Sequence, residues 1–271
     1  MIDIQKFKDD CAAVRSQSPL VHNITNYVAM NIAANTLLAA GASPLMSFCP
    51  EEMDEIVAIS SALVINIGCL DMQEIAAMRL AAAAAVRCAK PWVLDPVGAG
   101  ASKLRTATAL ELITRYHPAI IRGNASEIMC LAGAAIASKG VDSSESSDNA
   151  VEAGKTLAQA TGAVVSISGA VDYVTDGVRV ESIANGTPLM SKVTAMGCSA
   201  SALTGAFAAV DKTAFDAALN AMAMMGVAGD IASRQGSPEA GKLGTGTFAV
   251  RFIDALSTFD AESASALIRQ A

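Results

Sequence analysis

The spacing of apolar and polar positions changes repeatedly along the chain, and each change marks an element. Ile4, Phe7, Cys11 and Val14 recur at helical spacing, so a helix is expected over Ile4 to Gln17, ended by Pro19. LVHNITN reads as a short strand or loop rich in amide side chains. From Tyr27 to Ala40 the spacing is helical but nearly every face is apolar, which predicts burial on both sides until Gly41 stops the helix. SPLMSF is then a strand. Pro50 with Glu51, Glu52, Asp54 and Glu55 suits a helix start, and ALVINIG has the unbroken apolar character of a fully buried strand.

The alternation continues to the end of the chain. Asp71 to Ala89 is an Ala-rich helix, WVLDP a strand, Leu104 to Tyr116 a helix and AIIRG a strand. Asn124 and Glu127 stand at capping-box spacing at the start of the next helix, so a structural role is open to both. Lys139 to Asn149 is the most polar stretch and is expected to be a surface loop. Ala150 to Ala160 is helical, AVVSISG is a buried strand, and DYVTDGVRVES is a hairpin turning at Asp176-Gly177. From Lys192 to Val210 a β-branched lead-in gives way to Gly197, Cys198 and Ser199 and then to small apolar residues, a turn opening into a buried helix. Two more helices are expected, around Ala214 to Arg234 and Phe248 to Phe259.

Continuous apolar strands separated by helices predict an α/β fold with a mostly parallel central sheet and helices on both faces. No repeat or composition break divides the chain, so residues 1–271 are taken as one domain. Such sheets bind ligands at the carboxyl ends of their strands. Asp95, Arg122, Asn124, Ser168, Gly169 and Gly197 all fall at such ends.

Composition narrows the chemistry. Hydrophobic residues make up 52% of the chain and charged residues 17%, which excludes disorder. A net charge of −7 without a Lys/Arg run points away from nucleic acid and anionic membranes, toward small soluble substrates. The interval from Ser16 to Pro50 has no charged residue, yet its asparagines, Gly41 and Pro44 rule against a membrane span, so it is expected to be interior or subunit interface. The amphipathic start MIDIQKFKDD does not resemble a signal peptide. Six scattered cysteines, with no CxxC pair, fit a reducing cytoplasm and no zinc or disulfide framework. Five read as small buried hydrophobes. Cys198 stands at a helix start, where its pKa should fall.

No GxxxxGK[ST], no GxGxxG after the first strand and no G-x-S-x-G elbow is present. His22 and His117 read as structural or surface residues. What remains is carboxylates, an arginine and the unpaired N–H groups of a helix start opened by glycine, the parts that phosphoryl transfer needs for a magnesium ion and for phosphate charge. Asp95, Glu127, Arg122 and the N–H groups from Gly197 to Ser199 form that group. Each alone is as well explained by structure.

The segments PLVHNITN, LLAAGASPLMS, LVINIG, VLDPVGAGAS, AIIRGNASEI, VDYVTDG and KVTAMGC, in this order from Pro19 to about Thr204, resemble the hydroxyethylthiazole kinase family of thiamine salvage. The resemblance implies a three-layer ribokinase-like fold, ATP and Mg²⁺, and phosphorylation of 4-methyl-5-(2-hydroxyethyl)thiazole. It also implies a homotrimer with sites between subunits. By matching motif, Met46 and Ala195 line the thiazole pocket with Asn26 as a neighbour, Arg122 and Ser168 contact ATP, and Asp95 and Glu127 organise metal and phosphates. Gly197 belongs to the hole for the transferring phosphoryl group, and Cys198 stands where related sugar kinases place an aspartate base. The chain departs from the family with Ala195 for Gly, Met196 before Gly-Cys, Ala170 for an acidic residue and Thr245 for Pro. Rival expectations are another ribokinase-like small-alcohol kinase or repair hydro-lyase, a nucleotide- or thiazole-binding module without turnover, and a thiol hydrolase using Cys198.

Overall fold

The computed structural model describes residues 1–139, 149–234 and 243–271. The surface loop expected between Lys139 and Asn149 falls on 140–148 and lies outside the described residues. In chain order the elements are α1 (Ile4–Gln17), β1 (Leu20–Ile24), α2 (Met30–Ala40), β2 (Ser43–Met46), α3 (Met53–Ile59), β3 (Ala62–Asn66), α4 (Met72–Arg87), β4 (Trp92–Asp95), α5 (Lys103–Tyr116) and β5 (Ile120–Asn124). They continue with α6 (Ala125–Lys139), α7 (Asn149–Thr161), β6 (Val164–Ser168), β7 (Asp172–Thr175), β8 (Val180–Ile183), α8 (Met196–Val210), α9 (Ala214–Arg234), α10 (Thr245–Ser257) and α11 (Ala261–Ser265).

The strands form one sheet in the order β2-β1-β3-β4-β5-β6-β7-β8. The first six run parallel, and β7 and β8 extend the sheet as an antiparallel hairpin. Because side chains alternate along a strand, the sheet divides the apolar residues into two cores. Val21, Val64, Val93 and Ile120 face one core, which is closed by α1, α2, α8, α9 and α10. Leu63, Ile65, Leu94 and Ile121 face the other, against α3 to α7. These are the three layers of a ribokinase-like α/β fold.

Several element starts have a visible cause. Asp71 and Ser102 cap α4 and α5 by accepting from the N–H groups of Glu74 and Arg105. Two starts differ from the periodicity. The helix expected from Tyr27 begins only at Met30, because the Asn26 side chain accepts from Ala29 N and its carbonyl accepts from Ala29 and Met30, turning residues 27–29 into a capping turn. Nor is α2 covered on both sides in one chain: Ala33, Thr36, Leu37 and Ala40 are buried, whereas Leu38 is 60% exposed. The last long helix starts at Thr245, ahead of the expected Phe248, with Gly244 as its N-cap. Among the described residues no helix is long and apolar enough to cross a membrane.

α8 lies directly on the sheet. A Cβ built on Gly205 would stand 2.5 Å from Val64 Cγ2 and 3.0 Å from Val21 Cγ1, so glycine lets this helix seat against β1 and β3. Gly205→Ala gains about 1 kcal/mol of helix propensity but overpacks two β-branched neighbours, a cost of about 1–3 kcal/mol. Urea denaturation is expected to show a net loss of stability, and an equal or higher midpoint would mean that α8 does not bear on these strands.

Candidate active site

β1 has β2 on one side and β3 on the other, so the chain reverses its direction of travel across the sheet there. A crevice opens at the carboxyl ends of strands at such a switch point. Asn26 follows the end of β1 and Asn66 ends β3, so two amides stand at this crevice. One strand further, Asp95 ends β4 in direct register with Asn66, and both side chains project toward α8 on the face shared with Val64 and Val93.

Asp95 is 1% exposed. Its Oδ2 accepts from Asn66 Nδ2 at 2.7 Å and from Ser201 Oγ at 2.7 Å, and the Arg122 guanidinium lies 4.0 Å away. Burial pushes the carboxyl up from the ordinary aspartate range and Glu127 adds to the rise, while Arg122, Ser201 and Asn66 pull it back.

Cys198 occupies the first turn of α8. Its Sγ accepts from Asn66 Nδ2 at 3.2 Å and Asn26 Nδ2 at 3.4 Å. The helix start does not lower its pKa as expected: burial raises it first and the Asp95 charge second, against the two amides and Arg122. Cys198 is therefore held as a thiol in a pocket of hydrogen-bond donors. α8 also starts differently from the expected strand-to-helix turn. Met190–Lys192 is a 3-10 turn, residues 193–194 belong to no strand, and Ala195 is the N-cap in a left-handed conformation, φ 64° and ψ 10°. Gly197 thus reaches the sheet edge from a helix start and not from a strand end. The Ser199 N–H is bonded to Ala195 O, leaving the preceding N–H groups of the first turn without a helical acceptor.

Arg122, on β5, donates from Nη1 to Gly197 O at 3.0 Å. A Cβ on Gly197 would stand 2.9 Å from that Nη1, so the glycine makes room for the guanidinium. Arg122 Nε and Ser199 Oγ are buried and have no hydrogen-bond partner among the described residues. Buried donors in that condition call for a partner from outside the chain, and a guanidinium selects an anion. Glu127 completes the capping box with Asn124. Its Oε2 accepts from Asn124 N at 2.8 Å while Asn124 Oδ1 accepts from Glu127 N at 3.0 Å, and its Oε1 accepts from Gly98 N at 2.8 Å. The structural role read from the spacing is present, and it also ties the loop after β4 to α6.

A cavity of about 520 Å³ opens beside this network. Arg122, Ser168 and Gly197 line one part of it and Met190, Met222 and Met225 another. Ser168 and Arg122 are therefore brought together, next to the α8 start. Met46 is not: it ends the edge strand β2, in register with Asn23 on β1, half-buried and outside the hydrogen-bonded group. Three residues of the site are not among those the sequence singles out. Asn66 and Ser201 bond to Asp95 from sequence separations of 29 and 106 residues. Asp172 lines the cavity, accepts from Gly169 N at 2.9 Å, and has its carboxyl pushed up to about 6 by burial, against the pull of Gly169 N–H and Arg122. A polar residue ending an apolar strand run was the available sign for Asn66.

The model of the hydroxyethylthiazole kinase family matches residues 11–262. The chain belongs to the hydroxyethylthiazole kinase family. A hydroxyethylthiazole kinase of Leptospira biflexa serovar Patoc is 52% identical over 256 residues, covering 94% of this chain and 93% of its own. One from Nitratidesulfovibrio vulgaris is 50% identical, over 92% of this chain and 91% of its own. Among solved structures, the hydroxyethylthiazole kinase protein from Pyrococcus horikoshii OT3 superposes with a TM-score of 0.87 at 37% identity, covering 98% of this chain and 99% of that one. A pyridoxal kinase from Staphylococcus aureus in complex with AMP-PCP and pyridoxal, at 16% identity and a TM-score of 0.59, shares the fold.

Within this family frame Ala195 is a costly residue. A left-handed conformation strains an L residue with a Cβ by about 1–2 kcal/mol, and glycine recovers this at an entropic cost of about 0.5–1 kcal/mol. Ala195→Gly is expected to raise the chemical denaturation midpoint slightly, by about 0.5–1 kcal/mol in stability. A lower midpoint would show that packing of the alanine methyl outweighs the strain.

Proposed function

We propose that this protein transfers the γ-phosphoryl group of ATP to the hydroxyl of 4-methyl-5-(2-hydroxyethyl)thiazole. Family membership supports the reaction class, and one observation ties it to this chain: an anion-selecting guanidinium with an unused buried donor, Arg122 Nε, lining a cavity beside the first turn of a helix. The nucleotide lies in that cavity, with Arg122 and Ser168 on its phosphates and the N–H groups of Gly197 and Cys198 receiving the transferring phosphoryl group, the Ser199 N–H expected with them being spent on Ala195 O. Asn26 and Cys198 stand on the acceptor side, where the substrate hydroxyl comes. The alcohol oxygen bonds to the γ-phosphorus as the bond to the bridging oxygen of ADP breaks, and the hydroxyl proton is released with the product.

A Mg²⁺ ion suits the oxygen donors here. Asp95 ends β4 and Glu127 stands in the first turn of α6, after the adjacent strand β5, close enough for its charge to raise the Asp95 carboxyl, and Mg²⁺ is bound by one or two carboxylates together with substrate phosphates and water. Each Glu127 oxygen already accepts one backbone N–H, which fits a role through metal-bound water, while Asp95 supplies a desolvated charge. When bound, the ion neutralises charge on the transferring group.

The assembly reading is a homotrimer with the thiazole pocket between subunits, Met46 and Ala195 contributing. Its support is the incompleteness of the site in one chain: Met46 stands apart, and Tyr27 and Val28, next to Asn26, are 59% and 65% exposed. A reducing cytoplasm fits the free cysteines. The test is ADP release from ATP, Mg²⁺ and the thiazole alcohol, with a chelator control and pyrimidine and pyridoxine alcohols as competitors. Preference for either competitor would reassign the substrate, and thiazole and ATP binding without ADP release would reduce the protein to a binding module.

The same assay weighs Cys198. Its thiol lies above the ordinary cysteine range and is a poor base, and a loose transition state asks little of one. Cys198→Ala should lose no more than roughly tenfold to a hundredfold in kcat. Cys198→Asp should keep or raise kcat, because the amides of Asn26 and Asn66 already point donors at that position. Complete inactivity of the alanine variant with ATP binding intact contradicts this account. Asp95→Asn should be more damaging than either, and wild-type kcat in that variant would remove Asp95 from the site.

A further inference from the structure

Asn66 ends β3 and is 2% exposed. Its side-chain amide has two N–H donors and two acceptor lone pairs, and all four are engaged. Nδ2 donates to Asp95 Oδ2 at 2.7 Å and to Cys198 Sγ at 3.2 Å. Oδ1 accepts from Asn26 Nδ2 at 3.0 Å and from Gly68 N at 2.9 Å. This set leaves one orientation. A flipped amide would set an oxygen against the Asp95 carboxylate and an NH₂ group against two other N–H donors. Asn26 is fixed in the same way, since its Oδ1 accepts from Ala29 N while its Nδ2 faces Asn66 and Cys198.

We propose that Asn66 is a positioning residue for phosphoryl transfer, locking the Cys198 thiol and the Asn26 amide on the acceptor side to the Asp95 carboxylate on the donor side. The proposal rests on the kinase reading above. Asn66 makes no contact of its own with reacting atoms. It acts by holding in one frame three side chains that come from the end of β4, the first turn of α8 and the turn after β1. Two neighbours show how closely that frame is packed. A Cβ on Gly68 would stand 2.6 Å from Asn26 Nδ2 and 2.8 Å from Asn66 Oδ1, so glycine at 68 is needed for both amides to keep their places. Ser201 bonds the same Asp95 oxygen from α8, so the carboxylate is gripped from the sheet and from the helix at once.

The experiment separates the two faces of the amide. Asn66→Asp is nearly isosteric and keeps an oxygen for Asn26 and Gly68 N, but removes the donor to Cys198 and sets a second carboxyl group against Asp95, leaving the pair at most one shared proton. Asn66→Ala removes both faces, Asn66→Ser retains one short donor, and Gly68→Ala displaces the amides without removing any of their polar atoms. For each variant kcat, KM for ATP and KM for the thiazole alcohol are measured, with the thermal midpoint as a check on folding. Misplacing a reacting group by about 1 Å costs on the order of a hundredfold. Asn66→Asp and Asn66→Ala are accordingly expected to lower kcat by about 30-fold or more with KM for ATP within about threefold, Asn66→Ser to lie between them and wild type, and Gly68→Ala to fall in the same direction. Should Asn66→Asp keep kcat within about threefold of wild type, the amide serves only the turn at Gly68 and the proposal fails. An equal rise in KM for ATP in every variant, with kcat held, also overturns it. If an Asn66 variant does not fold, unchanged kcat in a folded Gly68→Ala protein is sufficient to reject it. Inactivity of the wild-type protein in this assay counts against the kinase reading, a result distinct from all of these.

Discussion

The carboxylate of Asp95, nearly without water at the end of β4, is the constraint that arranges its surroundings. A desolvated charge is tolerated in a protein interior only when donors and opposite charge compensate for the lost solvent. Asn66, Ser201 and Arg122 supply that compensation from β3, α8 and β5. The requirement then spreads outward. Ser201 reaches Asp95 only because α8 seats closely on the sheet at Gly205, and Arg122 reaches into the site only because Gly197 has no side chain. The first turn of α8 is thus placed by the same packing that satisfies the carboxylate, and the donors it presents for an anion are a consequence of where the helix must lie.

This dependence explains which parts were legible in the sequence. Strand and helix identities follow from local spacing, so β2 to β6, the α4 and α5 starts and the Asn124–Glu127 capping box were readable from neighbouring residues, while β1, rich in amide side chains, could be read as strand or loop. Strand ends also pointed to Asp95, Arg122 and Ser168. The roles of Asn66 and Ser201 were not readable, because each is defined by a partner on another element, and a strand asparagine or a helical serine has no local pattern that names its partner. The pKa of Cys198 failed for a related reason: a helix start lowers a thiol pKa when the group is solvated, and here burial and the Asp95 charge dominate. Local competition accounts for the late start of α2, where Asn26 captures the N–H of Ala29 and delays the helix that apolar spacing alone would begin at Tyr27.

The start of α8 holds its position at some expense to stability. A non-glycine residue in the left-handed region persists only where the surroundings over-determine it, and such residues gather at functional sites. Ala195 is fixed by the 3-10 turn before it and by the Ser199 N–H bonded to its carbonyl. With a glycine there the same path would be one of several open to the backbone. The alanine therefore exchanges some stability for a narrower set of helix-start conformations, and it adds a methyl group at the position assigned to the thiazole pocket.

What one chain leaves uncovered follows from the same geometry. The charge-free interval from Ser16 to Pro50 builds β1, α2 and the edge strand β2, and only part of its apolar surface turns inward: Tyr27, Val28 and Leu38 remain exposed, with Phe48 packed edge-on against Tyr27 at 6.0 Å. A parallel edge strand beside exposed aromatic and aliphatic side chains, with no charge to discourage pairing, is a surface that soluble proteins usually cover. Because Asn26 lies within this interval, whatever covers it also borders the acceptor side of the site. A second copy seated on this face, as in the proposed assembly, would share these few residues between subunit contact and substrate recognition.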